Sequence, residues 1–400
     1  MKNIIVLHPN LFDEITGSSE KLLVNMALIL ANSGIYQVQC VYGINKNVIR
    51  IPDKFIGNNN IKLLPFKYDL IQTKSPWKPV GMIPDLDNII DTLTPTIVIC
   101  LVFDGHQWPI NYISKKYPLL LISPFGDFCS NGNVRKIYVS GRNNLNRLKK
   151  KGLHSAELFF NPLKLPSPKK QKKFTNNNPV VLGRLGRSDS YIFDPISIYA
   201  FYKLELEFGN KVKYIYVNPC QEALDLAKKL KLKCIYFKNW LNNSELEEFY
   251  NEIDIFAHAR RDGETLGVAI AEAMFHECVV VTHKSAYYNE HIFLIHAPFG
   301  LVAELDDVNH YYVNLKKFVL NKNKLSAYGK KARNYAIKYF EWNTVSERII
   351  KDCNELSNYI NKPLPIHIQI YHKYLKVLYF INLIKIKFIE KIKKTELFNI

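Results

Sequence analysis

Two glutamates eight positions apart are the residues of this sequence best placed to do chemistry. Glu264 lies in a polar turn, and Glu272 lies one to two turns inside the Ala-rich helix that follows. An apolar strand precedes the turn at 253–258, and a second buried strand follows the helix at 278–282. This pattern predicts a strand–turn–helix–strand unit. Because carboxylates accept hydrogen bonds from hydroxyl groups, the two glutamates suit a hydroxyl-rich ligand.

The backbone at the start of this helix adds a predicted anion site. The first N–H groups of a helix have no intrahelical acceptor, and the helix dipole favours negative charge there. Four residues present such groups at the mouth of the turn: Thr265, Leu266, Gly267 and Val268. An anion cradle flanked by two carboxylates suits a sugar attached to a diphosphate.

The turn and helix resemble the nucleotide-sugar signature of the retaining glycosyltransferases of family 4, which have the GT-B fold. That family carries a glutamate, seven intervening residues and a second glutamate, and Glu264 and Glu272 match this spacing. Gly267 and Ala273–Met274 match the surroundings. The resemblance implies that Glu264 holds hydroxyls of the donor sugar and that Glu272 holds the nucleotide ribose. The alternative is that both glutamates are solvated helix charges.

A second motif of this resemblance, Gly183-Arg-Leu-Gly-Arg187, directly follows a predicted strand. Family 4 enzymes usually carry Gly-Arg at this turn and then a basic residue, often lysine, that neutralises the donor diphosphate. The lysine is missing here, and the resemblance assigns its role to Arg187, since a guanidinium binds phosphate oxygens in a bidentate manner. Arg184 is expected either to contact the donor or to form a structural salt bridge.

The remaining candidates from the resemblance are single residues in loops. Trp240 follows a strand where the family lines the nucleotide base, and it suits either base packing or the protein core. Gly17 and Ser18 resemble the family's Gly-Gly turn, with serine as the second residue, and the resemblance implies that this turn approaches the donor phosphate and the acceptor. Asp104 and His106 follow a buried strand, where relatives place a histidine or aspartate near the reacting carbon. Both are also compatible with an ordinary surface loop.

The composition is that of a globular protein with an unusual charge. The 400 residues carry a formal net charge of +18, and 44 of the 54 basic residues are lysine. Because the lysines are dispersed and no nucleic-acid-binding motif accompanies them, nucleic acid is not expected as a partner. The seven cysteines include no C-x-x-C pair and no Cys/His cluster, and their odd number and strand placement favour a reducing cytosol. The histidines lack the i, i+4 pairing expected of a zinc site, and the resemblance implies chemistry without a metal, so no metal site is expected.

No apolar run approaches the roughly 20 residues that span a bilayer. The N-terminal apolar run is too short for a signal-peptide core. We therefore expect a cytoplasmic protein that is soluble or peripheral on the inner face of the membrane.

Alternating strand-like and helix-like segments in both halves predict the α/β class with two Rossmann-like domains. The resemblance implies that these domains face each other across a cleft, as in the GT-B architecture. Residues 44–94 are predicted to be an irregular insertion. The predicted segments are an acceptor-side domain, a linker, a nucleotide-sugar-binding domain, a helix crossing back to the first domain, and a basic tail: 1–165, 166–178, 179–340, 341–358 and 359–400.

The C-terminal tail has a pattern of its own. Residues 373–394 hold seven lysines and one acid, Glu390, interleaved with large apolar residues. Five of these lysines share one face of a helical wheel: Lys373, Lys376, Lys387, Lys391 and Lys394. Such a helix suits the surface of an anionic membrane. The alternative is a helix packed on the body of the protein with its lysines in solvent.

We therefore expect a retaining, metal-independent glycosyltransferase that needs no cofactor. It would move a hexosyl group from a nucleotide diphosphate sugar to a glycan or lipid-linked glycan, as in cell-surface polysaccharide synthesis. Two alternatives stay open. The missing lysine and altered glycine turns suit a catalytically degenerate scaffold that binds a glycan or a membrane. A nucleotide-sugar epimerase can share the same two-domain plan.

Overall fold

The alternation of strands and helices produces two compact units. The computed structural model describes residues 1–8, 10–12, 18–44, 49–66, 69–71, 80–82, 86–101, 113, 116–124, 134–167, 178–239, 241–265, 267–359, 366, 370 and 381. The first unit comprises Met1–Val139, Leu148–Glu157 and Glu347–Ile400, and the second comprises Ser140–Arg147 and Leu158–Ser346. Each unit contains its own large sheet. The predicted pair of Rossmann-like domains is confirmed.

Through residue 158 the chain forms strands β1 (Lys2–His8), β2 (Tyr36–Gly43), β3 (Ile61–Phe66), β4 (Asp69–Ile71), β5 (Val80–Met82), β6 (Ile97–Leu101), β7 (Leu119–Ile122), β8 (Val134–Val139) and β9 (Ala156–Leu158), and helices α1 (Ser18–Asn32), α2 (Leu86–Leu93) and α3 (Arg142–Lys150). The large sheet has the order β3-β2-β1-β6-β7-β8-β9. Its neighbouring strands from β3 to β8 pair in parallel. β6 and β7 are apolar and buried along their whole length, as expected of a parallel sheet covered on both faces.

The prediction of an irregular insertion over 44–94 is wrong in part. This region supplies β3 at the edge of the sheet, helix α2 and a 3₁₀ turn at Asp53–Phe55. β3 pairs with β2 and contains Pro65, a residue type that argues against a strand when only the sequence is known. Proline has no N–H to donate to a neighbour, and an edge strand tolerates this because one of its sides is unpaired.

From Val180 onward the strands are β10 (Val180–Leu185), β11 (Val212–Val217), β12 (Ile235–Lys238), β13 (Ile255–Ala257), β14 (Gly263–Glu264), β15 (Val279–His283), β16 (Tyr288–Asn289) and β17 (Gly300–Ala303), and the helices are α4 (Ile196–Phe208), α5 (Gln221–Lys229), α6 (Asn243–Glu252), α7 (Val268–Phe275), α8 (Val308–Leu320), α9 (Leu325–Phe340) and α10 (Trp342–Leu356). The six-stranded sheet of the second unit has the order β12-β11-β10-β13-β15-β17. All of its neighbouring strands pair in parallel.

Helix α7 is short and apolar because it is packed inside the second unit. Its buried residues are mainly small or flexible: Ile270, Ala271, Ala273, Met274 and Phe275. It begins after Gly267, whose φ of 61° is left-handed, and ends before Glu277, whose φ is 58°. Gly329 on α9 lies against this end, since a Cβ there would meet the Glu277 carbonyl oxygen at 2.0 Å. A residue with left-handed backbone therefore lies just outside each end of the helix.

Helix α10 enters the first unit at Glu347. Its Asp352 is buried, and the Lys136 ammonium on β8 contacts it at 2.7 Å. The Tyr138 hydroxyl also donates to this carboxylate. Among the residues with a described structure, no helix is both long and apolar enough to cross a membrane.

Candidate active site

The strand order of the second unit reverses between β10 and β13. β11 and β12 continue on one side of β10, and β15 and β17 continue on the other side of β13. Loops that leave adjacent strand ends in opposite directions mark the position at which open α/β sheets bind ligands. The loop after β10 carries Arg187 and the loop after β13 carries Glu264. The backbone N–H of Arg261 donates to the Ile192 carbonyl at 3.1 Å, which joins the two loops.

Glu264 lies in a turn whose backbone admits only glycine before it. Gly263 has a φ of 74°, and a Cβ there would lie 1.7 Å from the carbonyl oxygen of Tyr288. Gly263 and Glu264 form β14, which pairs in parallel with β16. This pairing places the Glu264 backbone against the segment that follows β15.

The Glu264 carboxylate is anchored through one oxygen. Its Oε1 lies 3.2 Å from Nη1 of Arg260 and 3.6 Å from Nε2 of His258. Asp262 fixes Arg260 in turn, through a contact of 2.5 Å to Nε. Burial opposes the charge of Glu264, but the His258 ring and the Arg260 charge outweigh it and lower its pKa to about 2. Oε2 accepts no hydrogen bond from the part of the chain that the structure describes, so a ligand hydroxyl can use it.

Behind Glu264, one buried hydroxyl joins two histidines. Thr282 Oγ1, on β15, lies 3.0 Å from Nδ1 of His258 and 3.1 Å from Nε2 of His291. All three residues are at most 5% exposed. Burial lowers the pKa of both histidines, and that of His291 falls to about 3. Both rings are therefore neutral at neutral pH.

Neither this group nor Arg260 is recognisable from the sequence. His258 and Thr282 are 24 positions apart, and His291 comes nine positions later, so no local spacing connects them. The available signal was the polar residues at the ends of two apolar strands, the first ending in His258 and the second in Thr282-His283.

Glu272 projects from α7 and is half-buried. The hydroxyl of the buried Tyr250, on α6, donates to its Oε2 at 2.9 Å. Glu272 is the fifth residue of the helix, so it lies roughly 6 Å along the axis from Val268. Thr265 is half-buried in the turn, and Gly267 precedes the first helical residue. The assignment of these residues to a donor stays a prediction.

Arg184 and Arg187 have different environments. Arg184 is 4% exposed and donates through Nε and Nη2 to the Ala259 carbonyl, at 3.2 and 2.9 Å. Its guanidinium lies 4.5 Å from the ring centroid of Tyr216. Among the described residues, hydrogen bonds and stacking thus stand in place of the salt bridge considered for Arg184. Arg187 is exposed, and within the described ranges it makes no hydrogen bond or ion pair.

Five predicted residues lie outside the described residues: Gly17, Asp104, His106, Trp240 and Leu266. Ser18 begins α1. Across the ranges that the structure covers, no group of three or more His, Cys, Asp or Glu side chains is placed to hold a metal ion.

Comparisons with known proteins agree with this geometry. Residues 220–335, which contain both Glu264 and Glu272, match the family model described as glycosyl transferases group 1. No curated protein sequence matches the chain. Among solved structures, HepE from Anabaena in complex with UDP and glucose has a TM-score of 0.65 at 14% identity, covering 89% of this chain and 100% of that one.

Two further structures have the same fold. Sucrose-phosphate synthase from Thermosynechococcus elongatus has a TM-score of 0.68 at 12% identity, covering 89% of this chain and 99% of that one. TarM from S. aureus, in complex with fondaparinux, alpha-GlcNAc-glycerol and UDP, has a TM-score of 0.61 at 11% identity, covering 90% and 100%. The fold is therefore GT-B, as predicted. Together with the family match, it supports glycosyl transfer as the activity.

Proposed function

We propose that this protein is a retaining glycosyltransferase that takes a hexosyl group from a nucleotide diphosphate sugar. The arrangement of the two glutamates carries the proposal. Glu264 offers a carboxylate oxygen that accepts no hydrogen bond from the described residues, at the reversal of the strand order, and Glu272 presents a second carboxylate from the helix that follows. In this arrangement Glu264 binds hydroxyls of the sugar and Glu272 binds the ribose.

The pKa of Glu264 bears on its role. A carboxyl group with a pKa of about 2 stays ionised at physiological pH, so it acts as an acceptor and a fixed charge and does not donate a proton. A negative charge held beside the sugar also stabilises the positive charge that develops at the anomeric carbon in the transition state.

The diphosphate leaving group requires positive charge in turn. Arg187 has no competing partner among the described residues and extends from the first loop of the crevice. The N–H groups at Gly267 and Val268 add the partial positive charge of a helix start. We propose that the acceptor attacks from the face that the diphosphate leaves, and that the leaving phosphate takes the acceptor proton. This route requires no protein nucleophile and no metal ion.

The donor and acceptor follow by analogy. HepE is described in complex with UDP and glucose, so UDP-glucose is the first donor to test. We propose a glycan or lipid-linked glycan as acceptor, at the cytoplasmic face of a membrane. Apart from Ile381, the predicted basic helix at 373–394 lies outside the described residues, and it is the proposed membrane contact.

A thermal-shift screen against UDP, GDP, ADP and their common sugar conjugates tests the donor site. One base family should raise the melting temperature, and Glu272→Ala should abolish this shift. Glu248→Ala is the matched control, because Glu248 is an exposed glutamate on α6 and should leave the shift intact. No shift with any nucleotide would reject the active-transferase proposal and favour the scaffold. Conversion of the donor without an acceptor would instead indicate an epimerase.

Flotation with anionic vesicles tests the membrane contact. The full chain should bind vesicles that contain a fifth or more phosphatidylserine, and Gln substitutions at the five lysines of the shared face should release it. Equal binding by both proteins would contradict the proposed contact.

A further inference from the structure

The buried group behind Glu264 has a defined hydrogen-bond direction. Thr282 has one hydrogen to donate, and it lies between Nδ1 of His258 and Nε2 of His291. Its oxygen could accept from both rings, but its hydrogen would then have no other acceptor among the described residues, so the hydroxyl donates to one ring and accepts from the other. Two directions are possible, and the surroundings of His258 decide between them.

The protonation of His258 is set by the groups around it. Burial lowers its pKa, and the charge of Arg184 and the neighbouring His283 add to this effect against the pull of Glu264. His283 is itself occupied, since its Nδ1 contacts the Lys284 carbonyl at 2.8 Å and its Nε2 accepts from the Arg260 backbone N–H. His258 is therefore a neutral ring with a single N–H.

Glu264 selects which nitrogen of His258 carries that hydrogen. The ionised carboxylate lies 3.6 Å from Nε2, and a lone pair on this nitrogen would face the negative charge. The hydrogen therefore belongs on Nε2, and Nδ1 is the acceptor. It follows that Thr282 donates to His258 and accepts from Nε2–H of His291.

The far end of the series is His291 Nδ1, which is buried and makes no hydrogen bond of good geometry among the described residues. The Glu264 backbone raises the pKa of His291 against the larger effect of burial, so a backbone carbonyl lies near this nitrogen. This end is compatible with either direction, and the contact of the Glu264 carboxylate with Nε2 of His258 decides between them.

We propose that Thr282 and His291 are positioning residues for Glu264. They fix the tautomer of His258, so that its N–H faces Oε1 and the carboxylate plane presents Oε2 to the donor sugar. This inference rests on the proposed function. It adds a prediction that the function alone does not make: two residues that need not contact the donor should control affinity for its sugar without changing affinity for its nucleotide.

The test compares two ligands in isothermal titration calorimetry of the full chain. UDP reports the nucleotide site, and UDP-glucose reports the same site plus the sugar; the corresponding GDP or ADP pair replaces them if the screen selects another base. Thr282→Val keeps the side-chain shape and removes the hydroxyl. It should weaken UDP-glucose binding by about tenfold and leave UDP binding within about twofold, since one hydrogen-bonded contact is disturbed. Thr282→Ser keeps the hydroxyl and should restore sugar affinity.

A double-mutant cycle identifies the route of the effect. In a Glu264→Gln background the Thr282→Val change should cost nothing further, because the carboxylate it orients is gone. The same tenfold loss in both backgrounds, or equal losses for UDP and UDP-glucose, would overturn the positioning role.

A second pair of variants serves if Thr282→Val does not fold. His258→Gln places an amide N–H near the former Nε2, and His258→Asn mimics only Nδ1. Sugar affinity should survive the first change and fall with the second, and equal affinities would overturn the proposal. Wild-type binding of UDP-glucose tests the proposed function separately, so the two failures are distinguishable.

Discussion

Arg184 and Arg187 lie three residues apart at the end of β10, yet Arg184 is buried against Tyr216 and Arg187 is exposed. The difference follows from their partners. Arg184 joins the ends of two adjacent strands through the Ala259 carbonyl, whereas Arg187 has no comparable contact among the described residues. One guanidinium is part of the fold and the other is available to a ligand.

Exchanging each arginine for alanine should separate these roles. Arg187→Ala should weaken nucleoside diphosphate binding by about ten- to a hundredfold, the value of charge-assisted hydrogen bonds to phosphate, with an unchanged melting temperature. Arg184→Ala should lower the free energy of unfolding by about 2–4 kcal/mol, because it leaves a buried carbonyl without its donor and removes the stacking on Tyr216. Calorimetric titration and urea denaturation measure the two effects. A stability loss in Arg187→Ala equal to that of Arg184→Ala would contradict this division.

Acid should destabilise the first unit through His8. Burial lowers the pKa of His8 to about 3, from an ordinary value of 6.5. The folded state therefore binds fewer protons, and stability falls as pH drops below 6.5 and continues to fall until about pH 3. Between pH 7.5 and 5.5 this one residue should cost about 1.4 kcal/mol.

Urea denaturation at these two pH values measures that cost. His8→Asn retains an acceptor for the Asn10 N–H, which now donates to Nδ1 of His8, and should reduce the pH-dependent loss by the same amount. His154→Asn is the control, since His154 is exposed and belongs to the same unit. An unchanged pH dependence in His8→Asn would refute the prediction.

Asp352 should contribute more to stability than a similar ion pair at the surface of the same unit. Its side chain is 6% exposed and its partner Lys136 is 14% exposed. Asp352→Asn should lower the free energy of unfolding by about 3 kcal/mol, because it leaves the largely buried Lys136 ammonium with only the half-exposed Glu157, 3.2 Å away, as a charged partner among the described residues.

Asp91 provides a matched comparison. It also pairs with a lysine, Lys116, and accepts from a tyrosine hydroxyl, that of Tyr117, but both charged side chains are at least 30% exposed. Asp91→Asn should cost less than about 1 kcal/mol, since solvent screens an exposed pair. Denaturant unfolding of both variants measures the two losses in free energy of unfolding. Equal losses would contradict the larger contribution expected of Asp352.

Glu277→Gly should stabilise the second unit. A non-glycine residue with a φ of 58° costs about 1–2 kcal/mol, and part of this gain is offset by the greater freedom of glycine in the unfolded chain. The expected net gain is about 0.5–1 kcal/mol. Glu277→Ala removes the same carboxylate but keeps the Cβ, so thermal denaturation should show no gain there. A gain of the same size in both variants would assign the effect to the charge.

Most of the fold followed from local pattern. Apolar strands of four to seven residues and the helices between them were predictable because a parallel sheet buries both of its faces. The edge strand β3 was not predictable, because Pro65 argues against a strand. Its residues also have mixed burial, so Ile61–Phe66 lacks the continuous apolar run of a central strand. Helix α8 and β17 were also missed, although Asp307 caps α8 by accepting from the His310 N–H.

The candidate site was predictable only where its residues follow one another in sequence. Glu264, Gly267 and Glu272 share one turn and one helix, so their spacing carried the information. Thr282 and His291 lie beside His258 and Glu264 because β13 pairs with β15 and β14 pairs with β16. Such contacts depend on strand register and chain reversal, which one sequence does not display.

The division of the chain affects the order in which the protein is completed on the ribosome. The first unit needs Glu347 and the residues after it, whereas the second ends at Ser346. The half that is synthesised first must therefore wait for α10, and the pair of Asp352 with Lys136 joins residues 216 positions apart. The nascent chain can therefore complete its second unit first, while the strands of the first unit stay without α10 and keep apolar surface exposed until residue 356 has been synthesised.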